Sequence, residues 1–182
     1  MRAPHDMLVY HRPIKKGDKI NIKKEPWPTA EFAAGYLNYL NKILERDLTV
    51  LEFGSGGSSI YIANRVKSLV THEHDPVWLK VIKHIIEEDG IENIDIRFDK
   101  NYENNFKCSE GKFDIASVDF CCSPKRDKSI INAMKCVKKG GLLIFHKGPG
   151  FKDERIYPIL KKRGWVKIKQ WKKWKDVWRL NE

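Results

Sequence analysis

The chain has 182 residues, a length that fits one domain with a sizeable core. Its hydrophobic content of 41% is ordinary for a globular protein, and no stretch approaches the roughly 20 consecutive apolar residues of a membrane span, so we expect no membrane partner. The formal net charge of +11 either serves an anionic partner such as nucleic acid or reflects a lysine-rich composition.

Residues 1–28 carry four of the chain's eight prolines and two pairs of adjacent lysines, Lys15-Lys16 and Lys23-Lys24. Frequent prolines interrupt regular structure, so this segment is predicted to be an irregular basic arm. The remainder, residues 29–182, is predicted to form a single domain. It opens with a helix capped by Thr29, in which apolar residues recur at helical spacing through Glu45.

From Thr49 onward, short apolar segments alternate with helical patterns. Strands are predicted at residues 49–53, 68–72, 94–98, 113–118, 142–146, 165–171 and 176–180, and helices at 58–67, 76–89, 127–138 and 153–163. Strands that alternate with helices indicate a parallel sheet, and the two final strands indicate a hairpin. The predicted fold class is α/β, a Rossmann-like, doubly wound, mostly parallel sheet with an antiparallel C-terminal hairpin strand.

The run from Val50 to Ser59 reads Val-Leu-Glu-Phe-Gly-Ser-Gly-Gly-Ser-Ser and joins the first strand to a helix. Glycine lets the chain turn tightly and lets a ligand approach the main chain, so Gly54, Ser55 and Gly56 are predicted to bind a nucleotide-like cofactor. Glu52 would repel a pyrophosphate and would suit a ligand with a cationic amino-acid group. The alternative is a tight structural turn without a ligand.

This pattern, acid-x-Gly-x-Gly-x-Ser, resembles the first motif of the class I S-adenosylmethionine-dependent methyltransferases. The predicted order of strands and helices is similar to that family from about Thr29 to the C-terminus, and most clearly over residues 50–148. The resemblance implies S-adenosylmethionine as the cofactor and enzymatic methyl transfer as the activity.

Two acidic residues follow the second and third predicted strands. Glu73 lies about 20 residues beyond the glycines, the spacing at which a carboxylate meets the hydroxyls of a ribose. For Asp99 the resemblance implies contact with the adenine amino group, and the alternative is a turn-forming aspartate. His72 to Asp75 could suggest a metal cluster, but neighbouring strand residues point to opposite faces, so no metal site is predicted.

Asp119 follows a buried predicted strand, and Arg126 follows it a few residues later. This pattern is similar to a group of small O-methyltransferase-like proteins, although they often carry glycine where this chain has Phe120. The same group usually reads His-Asp after the fifth strand, whereas this chain reads His146-Lys147. The resemblance implies that Asp119 orients the substrate and that His146 is the general base. The alternative for His146 is a structural role at a strand end.

The function predicted from these residues is methyl transfer to a small-molecule acceptor, with oxygen as the expected nucleophile. The alternatives are an RNA- or protein-modifying methyltransferase that uses the basic surface, or a non-catalytic protein that binds cofactor or nucleic acid. A second subunit could complete the pocket. Four cysteines without a CxxC spacing indicate reduced thiols and a cytoplasmic location.

The final hairpin interleaves tryptophans with lysines, from Trp165 to Trp178. It is predicted to be a sheet edge with tryptophan on the packed face and lysine on the exposed face. The alternative is a stacking surface for single-stranded nucleic acid.

Overall fold

The computed structural model describes residues 30–101, 104, 106–108, 111–119, 126–147, 151–171 and 175–182. The predicted arm, residues 1–28, lies outside this part of the chain. The chain divides into two units, residues 1–44 and 45–182, and of the first we describe only helix α1 (Ala30–Ile43). The boundary proposed between the arm and the domain stays a prediction.

The second unit contains the sheet and the remaining described helices. Its strands are β1 (Thr49–Phe53), β2 (Ser68–Glu73), β3 (Ile94–Phe98), β4 (Phe113–Val118), β5 (Val137–His146), β6 (Trp165–Trp171) and β7 (Lys175–Leu180). Its helices are α2 (Gly57–Ala63), α3 (Pro76–Glu88), α4 (Arg126–Cys136) and α5 (Asp153–Lys162). Among the described residues, none of the helices is both long enough and apolar enough to span a membrane.

The seven strands form one sheet in the order β3-β2-β1-β4-β5-β7-β6. β3, β2, β1, β4 and β5 pair in parallel, whereas β7 is antiparallel to both β5 and β6. The predicted α/β class, with a mostly parallel sheet and an antiparallel C-terminal hairpin strand, is confirmed. The strand order reverses between β1 and β4, which is the position where open parallel sheets bind their ligands.

The core explains why the central strands form where they do. β1 and β4 consist largely of apolar side chains, and Val50, Leu51, Phe53, Ala116 and Val118 are fully buried. Continuous apolar runs are typical of parallel strands covered on both faces, since alternation with polar residues would bury polar groups. A cluster that includes residues of β1, β4, β5, α4 and α5 fills one face of the sheet.

Local sequence also sets the helix starts. Pro76 occupies the first turn of α3, and the Asp75 carboxylate accepts hydrogen bonds from the backbone N–H groups of Val77 and Trp78 at 2.8 and 3.2 Å. This pairing satisfies two of the donors that the start of a helix leaves without an intrahelical partner. The position of Trp78 is therefore fixed by the cap, which matters for the site below.

The largest difference from the predicted elements lies between α4 and β5. The sequence predicts a helix to Lys138 and a strand from Leu142, but the helix ends at Cys136 and β5 begins at Val137. Gly140 has φ of +75°, and a Cβ on Gly141 would lie 2.6 Å from the carbonyl oxygen of Asp114. The two glycines permit an irregular, closely packed strand instead of ending a helix.

Candidate functional site

The candidate site lies at the carboxyl edge of the sheet, on both sides of the reversal between β1 and β4. The backbone N–H of Gly54 donates to the carbonyl of His72 at 2.9 Å, and that of Asp119 donates to the carbonyl of Phe53 at 3.0 Å. The hydrogen-bond ladder thus continues past the strand ends. It brings the glycine loop and Asp119 to the same edge.

The loop of residues 54–56 is held at Ser55 by two side chains. Glu73 accepts a hydrogen bond from the Ser55 backbone N–H at 2.9 Å, and the Nε1–H of Trp78 donates to the Ser55 carbonyl at 2.5 Å. Gly54 has φ of +91°, a backbone conformation that residues with a side chain rarely adopt, which explains a glycine at this position. The two peptide groups on either side of the Ser55 Cα are therefore fixed, the first by β2 and the second by α3.

The Glu73 carboxylate is nearly fully buried and serves as an acceptor for backbone donors. Its Oε1 accepts hydrogen bonds from the backbone N–H groups of His74 and Asp75, both at 2.8 Å. Its Oε2 accepts the bond from Ser55. A carboxylate oxygen can accept two hydrogen bonds, so within the described residues Oε2 keeps capacity for a further donor, such as a hydroxyl group.

Glu52 lies fully buried beneath the loop and is bonded to three hydroxyl groups. Its carboxylate accepts hydrogen bonds from Ser58 at 2.7 Å, from Thr71 at 3.0 Å and from Ser59. Burial raises the pKa of Glu52 to about 7, although the hydroxyl bonds oppose this rise, and the charge of Asp119 adds to it. Glu52 thus anchors the start of α2 to β1 and β2, and the role in cofactor binding predicted for it would act through the loop.

Two features of the loop would suit a polar ligand. The Ser55 hydroxyl is buried and has no hydrogen-bond partner among the described residues. Buried polar atoms are normally paired, so a lone hydroxyl in a glycine loop marks a place for a polar group. A Cβ placed on Gly56 would meet no atom within 4 Å, which indicates open space beside the main chain.

Asp99 follows β3 at the same edge. Its backbone N–H donates to the carbonyl of Glu73 at 2.9 Å, and its carboxylate accepts a bond from the Asn101 backbone N–H at 3.0 Å. The side chain therefore caps a turn, which is the alternative that the sequence left open. The adenine contact predicted for it stays a prediction.

A second group of polar residues lies where β4, β5 and β7 end or begin. Asp119 Oδ1 lies 3.3 Å from Nδ1 of His146, and Asp119 Oδ2 accepts a hydrogen bond from the Lys175 ammonium at 2.6 Å. His146 and Lys175 are paired across the antiparallel strands β5 and β7. The structure thus brings together the two predicted catalytic residues and adds a buried lysine.

The electrostatics of this group keep Asp119 charged. Burial by itself would raise the pKa of the Asp119 carboxyl, but the Lys175 charge and the His146 contact outweigh it and hold the pKa far below its usual range. A charged carboxylate next to Nδ1 favours the ring tautomer that carries its proton on Nδ1. In a neutral ring the acceptor nitrogen is then Nε2.

A neighbouring cluster is formed by Lys147, which follows His146, by Asp176, which follows Lys175, and by Tyr157 of α5. Lys147 is 3.1 Å from the Tyr157 hydroxyl and 3.6 Å from the buried carboxylate of Asp176, which accepts a hydrogen bond from Tyr157. Burial and the charge of Asp176 raise the pKa of the Tyr157 hydroxyl. This cluster ties α5 to β7 and supports the base of the hairpin.

His72 precedes Glu73 in the sequence, but its side chain lies among aromatic rings and not at the glycine loop. Its ring contacts those of Phe53 and Phe106, with centroids 5.5 and 4.9 Å away. Burial and the nearby positive charge of Arg97 lower the pKa of His72 to about 4. The ring belongs to an aromatic cluster, whereas the Glu73 side chain faces the loop.

Sequence reasoning missed Trp78 and Lys175. Trp78 is 23 residues from Ser55, and nothing in the local pattern of α3 distinguishes it from a core residue. Lys175 is the last of a run of lysines and tryptophans, so its burial was not visible. The antiparallel pairing of β7 with β5 is the signal that could have placed Lys175 beside His146.

Scans of the sequence against protein-family models and curated proteins find no match. Comparison with solved structures finds proteins of similar fold. An rRNA methylase from Streptococcus thermophilus is similar with a TM-score of 0.64 and 14% identity, over 81% of this chain and 95% of that one. A protein from Streptococcus mutans, assigned as a methyltransferase and solved in complex with SAH, is similar with a TM-score of 0.64 and 11% identity, over 83% and 98%.

The fold is that of the class I methyltransferases. The resemblance noted in the sequence is confirmed at the level of the fold, which is what similarity at this identity establishes. The [4+2]-cyclase SpnF is also similar, with a TM-score of 0.59 and 15% identity, over 75% of this chain and 58% of that one. Proteins with this fold therefore carry out more than one reaction, and function has to be argued from the site.

Proposed function

We propose that this protein is an S-adenosylmethionine-dependent methyltransferase that acts on an oxygen nucleophile. The observation that carries the proposal is the placement of two groups at one edge of the sheet. The first is the Ser55 loop with Glu73, and the second is His146 with Asp119. The SAH complex of the Streptococcus mutans protein supports the choice of cofactor, because SAH is what S-adenosylmethionine becomes after losing its methyl group.

Cofactor binding is proposed to rest on the loop and on two acids, one at the end of β2 and one directly after β3. The loop Gly54–Gly56 would lie against the methionine end, with the Ser55 hydroxyl as a hydrogen-bonding group. Oε2 of Glu73 would accept a bond from a ribose hydroxyl, and Asp99 would lie near the adenine. Glu52 would contribute by holding the loop and the start of α2 in place.

The bound cofactor would supply an activated methyl group on sulfonium sulfur, leaving alignment and proton removal to the protein. An oxygen nucleophile must lose its proton, and Nε2 of His146 is the proposed acceptor. Asp119 would hold the ring through Nδ1 and stabilise the positive charge that the ring gains. In this proposal Asp119 orients the base, whereas the sequence assigned it to the substrate.

The acceptor itself was predicted to be a small molecule, with RNA or protein as the alternative. Proteins with this fold include an rRNA methylase and a cyclase, so the class of acceptor has to be argued from the site. We keep oxygen as the acceptor atom because an oxygen nucleophile must lose its proton, and His146 beside Asp119 could accept that proton. A cytoplasmic location and a second subunit stay predictions from the sequence.

The test is transfer of a labelled methyl group from S-adenosylmethionine to fractions of total RNA, protein and small metabolites. We expect turnover with one fraction, and His146→Asn should reduce it about 100- to 10,000-fold, the usual contribution of a general base. Binding of S-adenosylmethionine by His146→Asn should be unchanged. Full turnover by this variant would remove His146 as the base, and no turnover with any fraction would favour a non-catalytic protein.

A further inference from the structure

Two cysteines that are distant in sequence are in contact. Cys108, which follows β3 and precedes β4, is partly exposed, whereas Cys136, at the end of α4, is fully buried. Their side chains are hydrogen-bonded, and neither is in a disulfide. The backbone holds the two segments together, because the N–H of Lys112 donates to the Cys136 carbonyl at 2.9 Å. An accessible thiol is therefore held against a buried one.

Cys108 also helps to line a cavity of about 90 Å³, which has room for only a few water molecules. Leu51 of β1 and Val70 of β2, which are paired in the sheet, line it as well. Successive strand residues point to opposite faces, and the next residues, Glu52 and Thr71, are hydrogen-bonded to each other. The cavity therefore lies on the other face of the sheet from Glu52 and is separate from the candidate site.

Among the described residues that line this cavity, the charged ones are all basic. They are Arg97, Lys107 and Lys112, and each of them is exposed. The Arg97 guanidinium is paired with the Asp95 carboxylate, so the two lysines are the main source of positive charge. Positive charge beside a thiol favours the thiolate and attracts a reagent that carries carboxylates.

The surroundings of the two thiols indicate which of them can react. Burial raises the pKa of the Cys136 thiol, and the contact with Cys108 raises it further, although the charges of Lys135 and Lys112 oppose the rise. Cys136 therefore keeps its proton, for which the Asn132 carbonyl is an acceptor at 3.3 Å. Because the thiolate is the nucleophilic form of a cysteine, Cys108 is the member of the pair that can attack a reagent.

We propose that Cys108 is a modification site that forms a mixed disulfide with an anionic peptide disulfide of the glutathione type. The Cys108 thiolate attacks one sulfur of the reagent, whose S–S bond breaks while a new S–S bond joins Cys108 to one half of it. The other half leaves with the electron pair as a thiolate and takes up the proton that Cys108 lost, so no further oxidant is needed. The cavity receives the sulfur end of the bound half, and Lys107 and Lys112 meet its carboxylates.

The experiment treats the full chain, with its cysteines reduced, with oxidised glutathione and maps each cysteine by peptide mass spectrometry over time. We expect one glutathione half on Cys108, removable by dithiothreitol, and an unmodified thiol at Cys136. The urea-unfolded chain is the positive control for reaction at both positions. A Cys108 that reacts in the unfolded chain but not in the folded protein would overturn the proposal. A disulfide between Cys108 and Cys136 would overturn the assignment of Cys136 as the thiol that keeps its proton.

A second measurement tests the role of the lysines. Cystamine is a disulfide that carries ammonium groups where oxidised glutathione carries carboxylates. Lys107→Gln/Lys112→Gln should slow the reaction of Cys108 with oxidised glutathione about tenfold at low salt and should not slow the reaction with cystamine. The matched control is Lys80→Gln/Lys83→Gln on α3, where both lysines are exposed, and it should react with both reagents like the wild type. Equal slowing in the two double variants, or equal slowing with the two reagents, would overturn the preference for an anionic disulfide.

Discussion

The ammonium of Lys175 lies 2.6 Å from the Asp119 carboxylate, 56 residues away in sequence. The pair joins the start of the antiparallel strand β7 to the tip of β4, and the lysine side chain is buried whereas the aspartate side chain is partly exposed. The lysine holds in place the carboxylate that contacts His146. The C-terminal hairpin is therefore a structural part of the site.

Replacing the lysine should destabilise the protein. In Lys175→Met the Asp119 charge loses its strongest partner, and we expect a loss of about 3 kcal/mol in the free energy of unfolding, the lower end of the range for broken buried pairs because Asp119 is partly exposed. Chemical denaturation measures this. Lys169→Met, at an exposed position of β6, is the control and should change stability by less than about 0.5 kcal/mol. Equal effects would show that the pair contributes nothing specific.

Glu52 should make the protein less stable as pH rises. Its pKa of about 7 in the folded state lies above its ordinary value of 4.5, so its contribution is fully present below pH 4.5 and is lost as pH rises through 7. Across that window the slope should approach about 1.4 kcal/mol per pH unit. Glu52→Gln cannot titrate and should remove this slope from denaturation curves measured between pH 5 and 8. An unchanged slope would show that Glu52 is ionised throughout.

His72, in contrast, should make the protein less stable as pH falls. Its pKa of about 4 lies below the ordinary 6.5, so the stability that it contributes is present above pH 6.5 and is lost as pH falls towards 4. Between pH 4.5 and 6.5 the two effects partly cancel in the wild type. His72→Phe should remove the acid-side loss and expose the contribution of Glu52. If the variant loses stability in acid as the wild type does, the His72 assignment is wrong.

Trp78 should matter for the cofactor even though it lies on α3. Trp78→Phe keeps the ring but removes the bond to the Ser55 carbonyl, and a single hydrogen bond is worth about 1 kcal/mol, or about fivefold in affinity. Calorimetry with S-adenosylmethionine measures this. Val77→Ala is the control, because Val77 is 70% exposed on the same turn and should leave the affinity unchanged. No difference between the two variants would mean that the loop needs no support from Trp78.

Much of the fold was readable from the sequence because the strands are short, apolar and separated by clear turn residues. β3 and β4 have the predicted bounds, and Glu73 stands at the end of β2, next to the glycine loop. These features depend on local pattern and on chain distance, which the sequence contains. The prediction around Gly140 and Gly141 was wrong because glycine both ends helices and permits irregular strands. The close packing of Gly141 against Asp114 is what favours a strand here.

Less of the site could be predicted from the sequence, because its side-chain contacts depend on tertiary structure. A motif indicates which residues lie at the strand ends but not which hydrogen bonds they make. Glu52 was predicted to face a ligand, yet three hydroxyl groups from α2 and β2 surround it. Lys175 reaches Asp119 only because β7 pairs antiparallel with β5. Such contacts follow from tertiary structure and cannot be read from spacing.

The central claim is that the Ser55 loop and Glu73 bind S-adenosylmethionine, and isothermal titration calorimetry tests it most directly. We expect saturable binding by the wild type. Glu73→Gln, which keeps the size of the side chain but loses the charged acceptor, should weaken binding by about 1–3 kcal/mol, the cost of a poorly paired hydroxyl. Folded protein that binds no S-adenosylmethionine, or that binds NAD instead, would contradict the account.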